Sequence, residues 1–342
     1  MDFKPVIRIQ RRGSQLEITI DDAKALARRA CISVGASSAN ANALADATVA
    51  AECNGRSAVG FRHLLDYLAA YSEGRINGNA EPEVAFPAPA LIRVDAAGGI
   101  AHLGFDLVID ELVTRSRTFG LAALALHNSY TTGELGYYVR RLADAGLVAF
   151  AATNSPALMA SGKSREAVFG TNPLAFAAPS EDSRPLVIDQ ASSATAFVTI
   201  RQLAEQGEQI PEGWAIDAEG SSTTDAGEAM RGALLAFGGT RGANIALMVE
   251  TLAAGLTGSN WSLDAPSFSQ GAVSPGVGLF VFAIQPNLLA PDFPARLAAQ
   301  LDRLHSKGIH IPGRAPILSS IDLPADLLNA LEAFSLRSLA RD

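Results

Sequence analysis

The amino-acid sequence predicts an α/β protein in which helical N-terminal and C-terminal layers flank a central α/β body. Two observations indicate this class. Near both ends of the chain, apolar residues recur at the three- and four-residue spacing of helices that bury one face. Between residues 121 and 285, short apolar runs bounded by turn residues have the length of buried strands, and helical segments separate them. We therefore divide the 342 residues into regions 1–120, 121–285 and 286–342.

The N-terminal region is expected to be helical. Four helices are predicted, over Ala23–Val34, Ser38–Asn54, Phe61–Ser72 and His102–Phe119. The pattern Thr19-x-x-Asp22 resembles a capping box ahead of the first helix, and Ser38 is a suitable N-cap for the second. Gly120 is expected to end the fourth helix.

The central region changes to short strands, and helices return at the C-terminus. Strands are predicted over Leu121–Leu126, Leu147–Ala152, Leu174–Ala178, Leu186–Ile188 and Val277–Ile284. Helices are predicted over Glu134–Ala145, Ala194–Gln206, Ala243–Leu256, Pro294–Ser306 and Pro324–Leu339. Residues 207–232 are rich in Gly, Ser, Thr and acids and are expected to form a long loop. Because strands and helices alternate irregularly, a regular doubly wound sheet is not expected.

Composition excludes several classes of partner. The net charge of −8 argues against nucleic acid or an anionic membrane surface. The two cysteines, Cys31 and Cys53, have no CxxC spacing, so neither a disulfide framework nor a metal site is predicted. The longest strongly apolar runs have strand length, and Met1–Pro5 does not resemble a signal peptide. We therefore expect a cytoplasmic protein without a bound metal.

Common catalytic signatures are absent from the sequence. It has no GxGxxG, no P-loop, no HExxH and no GxSxG, and none of its five histidines lies within four residues of another. Hydrolase and metalloenzyme interpretations therefore have no support.

Two glycine-rich corners are the most informative features. In the first, Gly170-Thr171-Asn172-Pro173, Gly permits a positive φ, Asn bonds its own backbone, and Pro fixes φ and removes a donor. The second, Phe237-Gly238-Gly239-Thr240-Arg241-Gly242, opens a predicted helix and is suited to a phosphate. The first corner is equally compatible with plain turn chemistry. Together they indicate a ligand held by backbone groups.

Three further polar clusters each leave two interpretations open. Residues Arg56–His63, at a helix start, fit either an anion site for a carboxylate or a solvated helix end. The turn Asn128–Glu134 fits either a phosphate-binding loop or a capping loop. Asp189 ends an apolar strand, where a carboxylate is costly unless paired, so it is either functional or an N-cap.

These motifs, in this order, resemble the type-2 malate/L-lactate dehydrogenase family. The resemblance rests on the Phe169–Pro173 corner, the strand ending in Asp189, the segments Ile210–Gly213 and Asp217–Gly220, and the Gly238–Gly242 corner. It covers about residues 15–315. It implies a homodimer, and a non-Rossmann NAD(P)-binding domain over 121–285 built on a largely antiparallel mixed sheet. It also implies NADH or NADPH as cofactor, and reduction of 2-oxo acids or cyclic imines.

The chain departs from the family pattern at three places. Where the family has Ser-His-Gly-x-x-Arg, this sequence has Ala58-Val59-Gly60-Phe61-Arg62-His63. Thr131 stands where the family often has His, and Thr240-Arg241-Gly242 replaces His-Lys-Gly. Asp189, Asn172, Pro173 and Gly242 match. The Ala58–His63 variant resembles the Δ1-pyrroline-2-carboxylate reductase branch.

The lost histidines favour imine reduction over alcohol oxidation. Oxidising an alcohol needs a base near neutral pH, and neither Val59 nor Thr131 supplies one. Without such a base, oxidation of malate or lactate should slow by about 10²–10⁴-fold. A cyclic imine arrives protonated as an iminium and needs little acid help. Other imine reductases of the family keep these histidines, so the loss permits this function without proving it.

The resemblance implies a set of site residues. Asp189 and His63 are the catalytic candidates, and Arg62, Ser57 and Thr131 are the substrate-binding candidates. The cofactor candidates are Thr131, Thr132, Gly133, Glu134, Asn154, Asn172, Pro173, Gln190, Ala191, Ser192, Arg241 and Gly242. Either Arg62 or His63 is expected to bind the substrate carboxylate. NADPH is the expected cofactor, with NADH as the alternative, because Arg241 and Lys163 suit a 2′-phosphate.

The leading hypothesis is NAD(P)H-dependent reduction of Δ1-pyrroline-2-carboxylate, and of its six-membered homologue Δ1-piperideine-2-carboxylate, to L-proline or L-pipecolate. The first alternative is a 2-oxo acid dehydrogenase of malate or lactate type. The second is a non-catalytic binding protein that has lost its histidines.

Overall fold

The structure, a computed structural model, describes residues 9–12, 15–162, 164–182, 184–314, 316 and 318–337. Lys163 lies outside the described residues. Up to residue 81 the chain forms β1 (Ile9–Arg12), β2 (Gln15–Thr19), α1 (Ile20–Ser33), α2 (Ser38–Cys53), a 3₁₀ turn (Ser57–Val59) and α3 (Phe61–Ser72).

The middle of the chain carries most of the strands. The next elements are β3 (Glu83–Ala88), β4 (Leu91–Asp95), α4 (Ala101–Asp106), α5 (Ile109–Phe119), β5 (Leu121–Ser129), α6 (Gly136–Asp144), β6 (Val148–Thr153), β7 (Met159–Ala160), β8 (Leu174–Ala178) and β9 (Leu186–Gln190). They are followed by α7 (Phe197–Gln206), β10 (Ala215–Ile216), β11 (Ser222–Thr223), α8 (Ala226–Arg231), β12 (Ala233–Leu235), α9 (Thr240–Glu250), a π-helical turn (Thr251–Gly255), β13 (Val277–Ile284), a 3₁₀ turn (Pro286–Leu288), α10 (Phe293–His305), β14 (Ser320–Pro324) and α11 (Ala325–Arg337).

The chain divides into two compact units. The terminal unit comprises the described parts of residues 1–81 and 315–342, and the central unit comprises residues 82–314. These bounds differ from the predicted ones, because the strands of residues 83–95 and the helices up to residue 119 belong with the central sheet.

The terminal unit is a helical layer with a small antiparallel sheet. Its described strands run in the order β1-β2-β14, and α1 packs against α2, α3 and α11. Leu26, Leu44, Leu64 and Leu68 are buried in its core. Thr19 caps α1 by accepting the Asp22 N–H at 3.2 Å, which confirms the predicted cap. The second helix is capped by Ser37, one residue before the predicted Ser38.

The central unit is built on a mixed sheet. Seven described strands have the order β3-β4-β5-β13-β6-β8-β9. Within this part of the chain β4 pairs with β5 in parallel, and the other neighbouring pairs are antiparallel. Helix α5 packs against β5, and α6 packs against β6 and β8. The predicted α/β class with a mixed sheet is therefore confirmed.

The prediction of a long loop over residues 207–232 is wrong. This segment contains β10, β11 and α8, and the four described strands β11-β10-β12-β7 form a second sheet. Ile210, Ala215, Ala226 and Ala229 are buried in a core with Met159 and Leu234. The strands are only two or three residues long, so they show no alternation of apolar and polar residues. Strand β10 pairs with the nearby β11 and β12, and β12 also pairs with the distant β7.

Two other predictions about elements need correction. The strands β1–β4 were expected to be helical or irregular, but β2 pairs with the distant β14, and β3 has mostly exposed side chains. The helix predicted over His102–Phe119 is interrupted at Val108, whose φ is −123°, giving α4 and α5. By contrast, α3, β8 and β13 have the predicted bounds, and Gly120 ends α5 in the left-handed conformation.

None of the helices in the described residues combines the length and apolar character needed to cross a membrane. Within the same residues, no group of three or more His, Cys, Asp or Glu side chains is placed to bind a metal ion.

Candidate functional site

The two glycine-rich corners lie next to each other in the central unit, joined through Ser192. The buried Ser192 hydroxyl donates to the Asn172 carbonyl at 2.7 Å, and its N–H donates to the Thr171 carbonyl at 2.8 Å. On the other side, the Phe237 N–H donates to the Ser192 carbonyl at 3.1 Å. Two segments that are about 65 residues apart in sequence therefore share one hydrogen-bonded framework.

Asn172 holds the first corner through its side chain. It is fully buried with φ +39°, and its Nδ2 donates to the Ala246 carbonyl at 3.0 Å and to Glu250 Oε2 at 2.7 Å. The buried Glu250 also accepts the Ser262 N–H at 2.6 Å and the Ser262 hydroxyl at 2.7 Å. Asn172 Oδ1 is buried and has no hydrogen-bond partner. The corner is thus fixed to α9, whose first residues form the other corner.

The start of α9 presents exposed backbone and a cation. Gly239, the N-cap, has φ +64° and no side-chain cap, and Gly238, Thr240 and Arg241 are exposed. A Cβ on Gly242 would collide with the Phe237 carbonyl oxygen, so only glycine fits there. Uncapped N–H groups beside a guanidinium form a site with the chemistry of an anion receptor.

Asp189 is placed at the start of α6. Its Oδ2 accepts the N–H of Gly136, the first residue of α6, at 2.7 Å. The N-cap role left open by the sequence is not present, because Asp189 lies in β9 and the N-caps of α6 and α7 are Leu135 and Ala196. Glu134 lies beside Asp189, since a Cβ on Gly136 would be 2.8 Å from Glu134 Oε1 and 3.3 Å from Asp189 Oδ2.

The loop before α6 is buried and firmly held. Thr131, Thr132 and Glu134 are each less than a tenth exposed. The Tyr138 hydroxyl donates to the Thr132 carbonyl at 2.6 Å. His102, on α4, stacks on the Tyr138 ring with a 5.6 Å separation of ring centroids. Burial, with a smaller contribution from Arg141, lowers the pKa of His102 to about 3, so the ring is neutral.

The side chain of Asn154 links three segments of the central unit by hydrogen bonds. Its Nδ2 donates to the Asn260 carbonyl at 2.8 Å, and its Oδ1 accepts the Gly278 N–H at 3.0 Å. The residue is only 2% exposed. Its amide therefore joins the end of β6 to β13 and to the loop around Asn260. Of the other cofactor candidates, Gln190 is exposed, and Pro173 and Ala191 are half-buried.

The substrate-binding candidates Ser57, Arg62 and His63 lie on the terminal unit. Ser57 and Arg62 are exposed, and His63 is partly exposed. His63 Nδ1 is 2.9 Å from Asp66 Oδ2. The structure thus gathers the predicted cofactor residues and Asp189 in the central unit and places these three in the terminal unit.

The start of α3 already has an anion of its own. Glu52 Oε1 accepts the Phe61 N–H at 2.8 Å, and Gly60 leaves the room for this carboxylate, because a Cβ there would collide with it. Burial raises the pKa of Glu52, while the Phe61 N–H and nearby Arg62 act against that rise. An incoming carboxylate at this helix start would therefore have to bind through side chains rather than through this N–H.

Three residues of these frameworks were not found from the sequence. Glu250 could have been found as Asp189 was, because it is an acid within an apolar run. Asp66 follows His63 by three residues, a spacing that places two side chains on one helix face. Glu52 gives no comparable signal, because its partner at Phe61 is in the next helix.

Comparisons with known proteins agree with this geometry. The model of the family described as malate/L-lactate dehydrogenase matches residues 18–319. The Δ1-pyrroline-2-carboxylate/Δ1-piperideine-2-carboxylate reductase of Pseudomonas aeruginosa is 36% identical over 304 residues, covering 87% of this chain and 91% of the relative. The (2R)-3-sulfolactate dehydrogenase (NADP(+)) of Chromohalobacter salexigens is 35% identical over 327 residues, covering 93% and 98%.

A solved structure has the same fold. The crystal structure of Δ1-piperideine-2-carboxylate reductase from Pseudomonas syringae pv. tomato matches with a TM-score of 0.83 at 31% identity, covering 94% of each chain. The chain belongs to the malate/L-lactate dehydrogenase family, as its motifs predicted. It is accordingly an oxidoreductase.

Proposed function

We propose that this protein reduces a cyclic imino acid with a nicotinamide cofactor, converting Δ1-pyrroline-2-carboxylate to L-proline and Δ1-piperideine-2-carboxylate to L-pipecolate. The observation that carries the proposal is the carboxylate of Asp189, held by the Gly136 N–H at 2.7 Å. The sequence supports it, because Val59 and Thr131 stand where the resemblance expects histidines. Relatives at 36% identity with these two substrates in their names give further support.

Asp189 is suited to a cationic substrate. The Gly136 N–H, at 2.7 Å from Oδ2, holds the carboxylate in one orientation. An iminium nitrogen brings its own proton, so the enzyme has to stabilise a positive charge rather than to supply an acid. When the cofactor is bound, the hydride added to the imine carbon comes from its reduced nicotinamide. The C=N double bond thereby becomes a C–N single bond, with one new C–H bond at carbon, while the nitrogen keeps the proton of the iminium and regains its electron pair.

The substrate carboxylate is assigned to the terminal unit. Arg62 is exposed and His63 partly so, and both are cationic or hydrogen-bonding groups on the first turn of α3. Ser57, on the exposed 3₁₀ turn just before this helix, is the third candidate. The N–H of Phe61 is already bonded to Glu52, which favours recognition by these side chains.

The central unit fits a dinucleotide. The exposed Gly238–Arg241 corner offers uncapped N–H groups and a guanidinium for phosphate, and the buried Asn172 Oδ1 at the neighbouring corner lacks a partner. Thr131–Glu134, Pro173, Gln190–Ser192 and Arg241-Gly242 would form the walls of this site. Asn154 and Asn172 would position these walls, since their amide groups bond other parts of the protein.

The preference for NADPH is assigned to Arg241, whose exposed guanidinium suits a 2′-phosphate. The printed name of the Chromohalobacter relative includes NADP(+). We also propose that the central unit is a non-Rossmann dinucleotide-binding body, because a Rossmann sheet is mostly parallel and this one is mostly antiparallel. The homodimer and the cytoplasmic location stay predictions.

A substrate and cofactor screen tests the proposed function. The purified protein is incubated with NADPH or NADH and one of five compounds: each cyclic imino acid, pyruvate, oxaloacetate or 3-sulfopyruvate. Loss of the absorbance of the reduced nicotinamide is then followed. We expect turnover of at least one cyclic imino acid, faster with NADPH than with NADH. Turnover of oxo acids alone would support the 2-oxo acid alternative, and absence of cofactor binding by fluorescence would support the non-catalytic one.

A further inference from the structure

We propose that Asp66 is a positioning residue that fixes the orientation and tautomer of the His63 imidazole. The inference rests on the proposed function, in which the first turn of α3 binds the carboxylate of the substrate. The observations that support it are the contacts of the His63 ring within α3.

The His63 ring is held by two contacts from its own helix. Nδ1 lies 2.9 Å from Asp66 Oδ2, one helical turn further along α3. The ring also meets the Tyr67 ring edge-on, with centroids 4.5 Å apart and planes at 70°. Tyr67 is only 3% exposed, so this second contact is with a side chain fixed in the core. A ring with a hydrogen bond at one end and a packed edge has little freedom to rotate.

Helix α3 is itself a rigid support. Leu64 and Leu68 have no exposed surface and anchor the face of the helix that is directed to the core. Glu52 caps its first turn through the Phe61 N–H. Site residues on a packed helix are held more closely than residues on a loop. The His63–Asp66 pair is therefore built into a fixed element.

The contact with Asp66 determines which ring nitrogen meets a ligand. An ionised carboxylate only accepts hydrogen bonds, so Nδ1 has to carry the hydrogen toward Asp66. Within the described residues, no hydrogen bond involves Nε2, and the side chain is 25% exposed. Nε2 is thus the atom presented outward. It accepts a hydrogen bond when the ring is neutral and donates one to a carboxylate when the ring is protonated.

Asp66→Asn tests this role because Asn keeps the size of the side chain and reverses the hydrogen bond. Its amide N–H₂ can donate to Nδ1, which would move the ring hydrogen to Nε2. We expect nitrogen-correlated NMR of the histidine rings to show a protonated Nδ1 for His63 in the wild type and a protonated Nε2 in Asp66→Asn. The His63 signals are assigned by their loss in His63→Gln. This measurement requires no catalytic activity.

We expect Asp66→Asn to weaken substrate binding more than it slows the chemical step. In Asp66→Asn, kcat/KM for the cyclic imino acid should fall by about 10–100-fold, mostly through a higher KM. Losses of this size are typical when a residue that hydrogen-bonds and orients a metal-binding histidine is substituted. Asp66→Glu should restore part of this loss. In a His63→Gln background, Asp66→Asn should cause no further loss, because the effect passes through His63.

Asp46→Asn is the matched control. Asp46 lies in the same unit and pairs with Lys24 at 2.8 Å. Its substitution by Asn removes the same negative charge as Asp66→Asn does. It should change neither the His63 resonances nor the kinetics. An unchanged His63 tautomer in Asp66→Asn, or an equal kinetic loss from Asp66→Asn in the His63→Gln background, would overturn the proposal. If the tautomer responds but no imino acid is reduced, the proposed function fails and the positioning role stands.

Discussion

At the scale of single residues, Asp189 carries the central chemical argument. Its carboxylate accepts the Gly136 N–H at 2.7 Å and lies next to Glu134. The sequence predicted either a functional acid or an N-cap, and Asp189 lies in β9 rather than at the N-cap of α6 or α7. The hydrogen bond from the first residue of α6 orients the carboxylate. The functional interpretation is the one that we propose.

Asp189→Asn should separate charge from structure. Asn retains an oxygen that can accept the Gly136 N–H, so the start of α6 should be preserved while the negative charge is lost. We expect kcat/KM for the cyclic imino acid to fall by about 10²-fold or more, with little change in the urea unfolding midpoint. Asp302→Asn, on the exposed face of α10, is the charge-matched control and should retain full activity. Unchanged imine reduction in Asp189→Asn would remove Asp189 from the mechanism.

The conformation and side-chain contacts of Asn172 could not be predicted from the local sequence. The turn chemistry of the Gly-Thr-Asn-Pro corner predicted a positive φ at its glycine and a bond from the Asn side chain to its own backbone. Both details are wrong, because the positive φ, +39°, is at Asn172, and the Asn172 side chain bonds Ala246 and Glu250 of α9. These partners lie more than 70 residues away, and no local pattern reveals such contacts. The position of the corner was thus predictable, but the residue with positive φ and the network that fixes it were not.

At the scale of elements, helices and strands with clear periodicity were predicted well. Helix α3 and strand β13 have the predicted bounds because each has many apolar residues on one face or along its whole length. Strands β10 and β11 were missed because each has only two residues, too few to show an alternation of apolar and polar side chains. Strand β2 was missed for a different reason, since its partner β14 is about 300 residues away.

The contact between α4 and α6 predicts a pH dependence of stability. His102 on α4 is buried against Tyr137 and Tyr138 of α6, and burial lowers its pKa to about 3, from 6.5. Below pH 6.5 the unfolded chain binds a proton at this residue that the folded protein does not bind. The contribution of His102 to stability is therefore complete above that pH. It is lost as the pH falls, by about 1.4 kcal/mol per pH unit.

His102→Phe should remove this term, because Phe keeps the stacking and does not titrate. We expect the free energy of unfolding of His102→Phe minus that of the wild type to become more positive as the pH is lowered from 6.5 to 4.5. Urea denaturation at several pH values measures this difference. His310→Asn, at an exposed position, controls for the loss of a histidine and should show no such trend. A difference that stays constant with pH would contradict the assignment.

At the scale of the whole molecule, the two units divide the predicted roles. The cofactor candidates and Asp189 belong to the central unit, and Ser57, Arg62 and His63 belong to the terminal unit. The sequence identified both groups through its resemblance to a family, because the individual motifs are short and separated. The bounds of the two units could not be predicted from the spacing of apolar residues. Residues 82–120 look, by that spacing, like a continuation of the N-terminal helices.

The most direct test of the central claim follows the hydride itself. NADPH carrying deuterium at carbon 4 of the nicotinamide is incubated with the protein and Δ1-pyrroline-2-carboxylate, and the products are analysed by chiral chromatography and mass spectrometry. The account predicts L-proline with one deuterium at carbon 2. Parallel reactions with pyruvate, oxaloacetate and 3-sulfopyruvate should yield deuterated hydroxy acids far more slowly or not at all. Deuterated hydroxy acids would contradict it if neither deuterated L-proline nor, from the six-membered imine, deuterated L-pipecolate is formed.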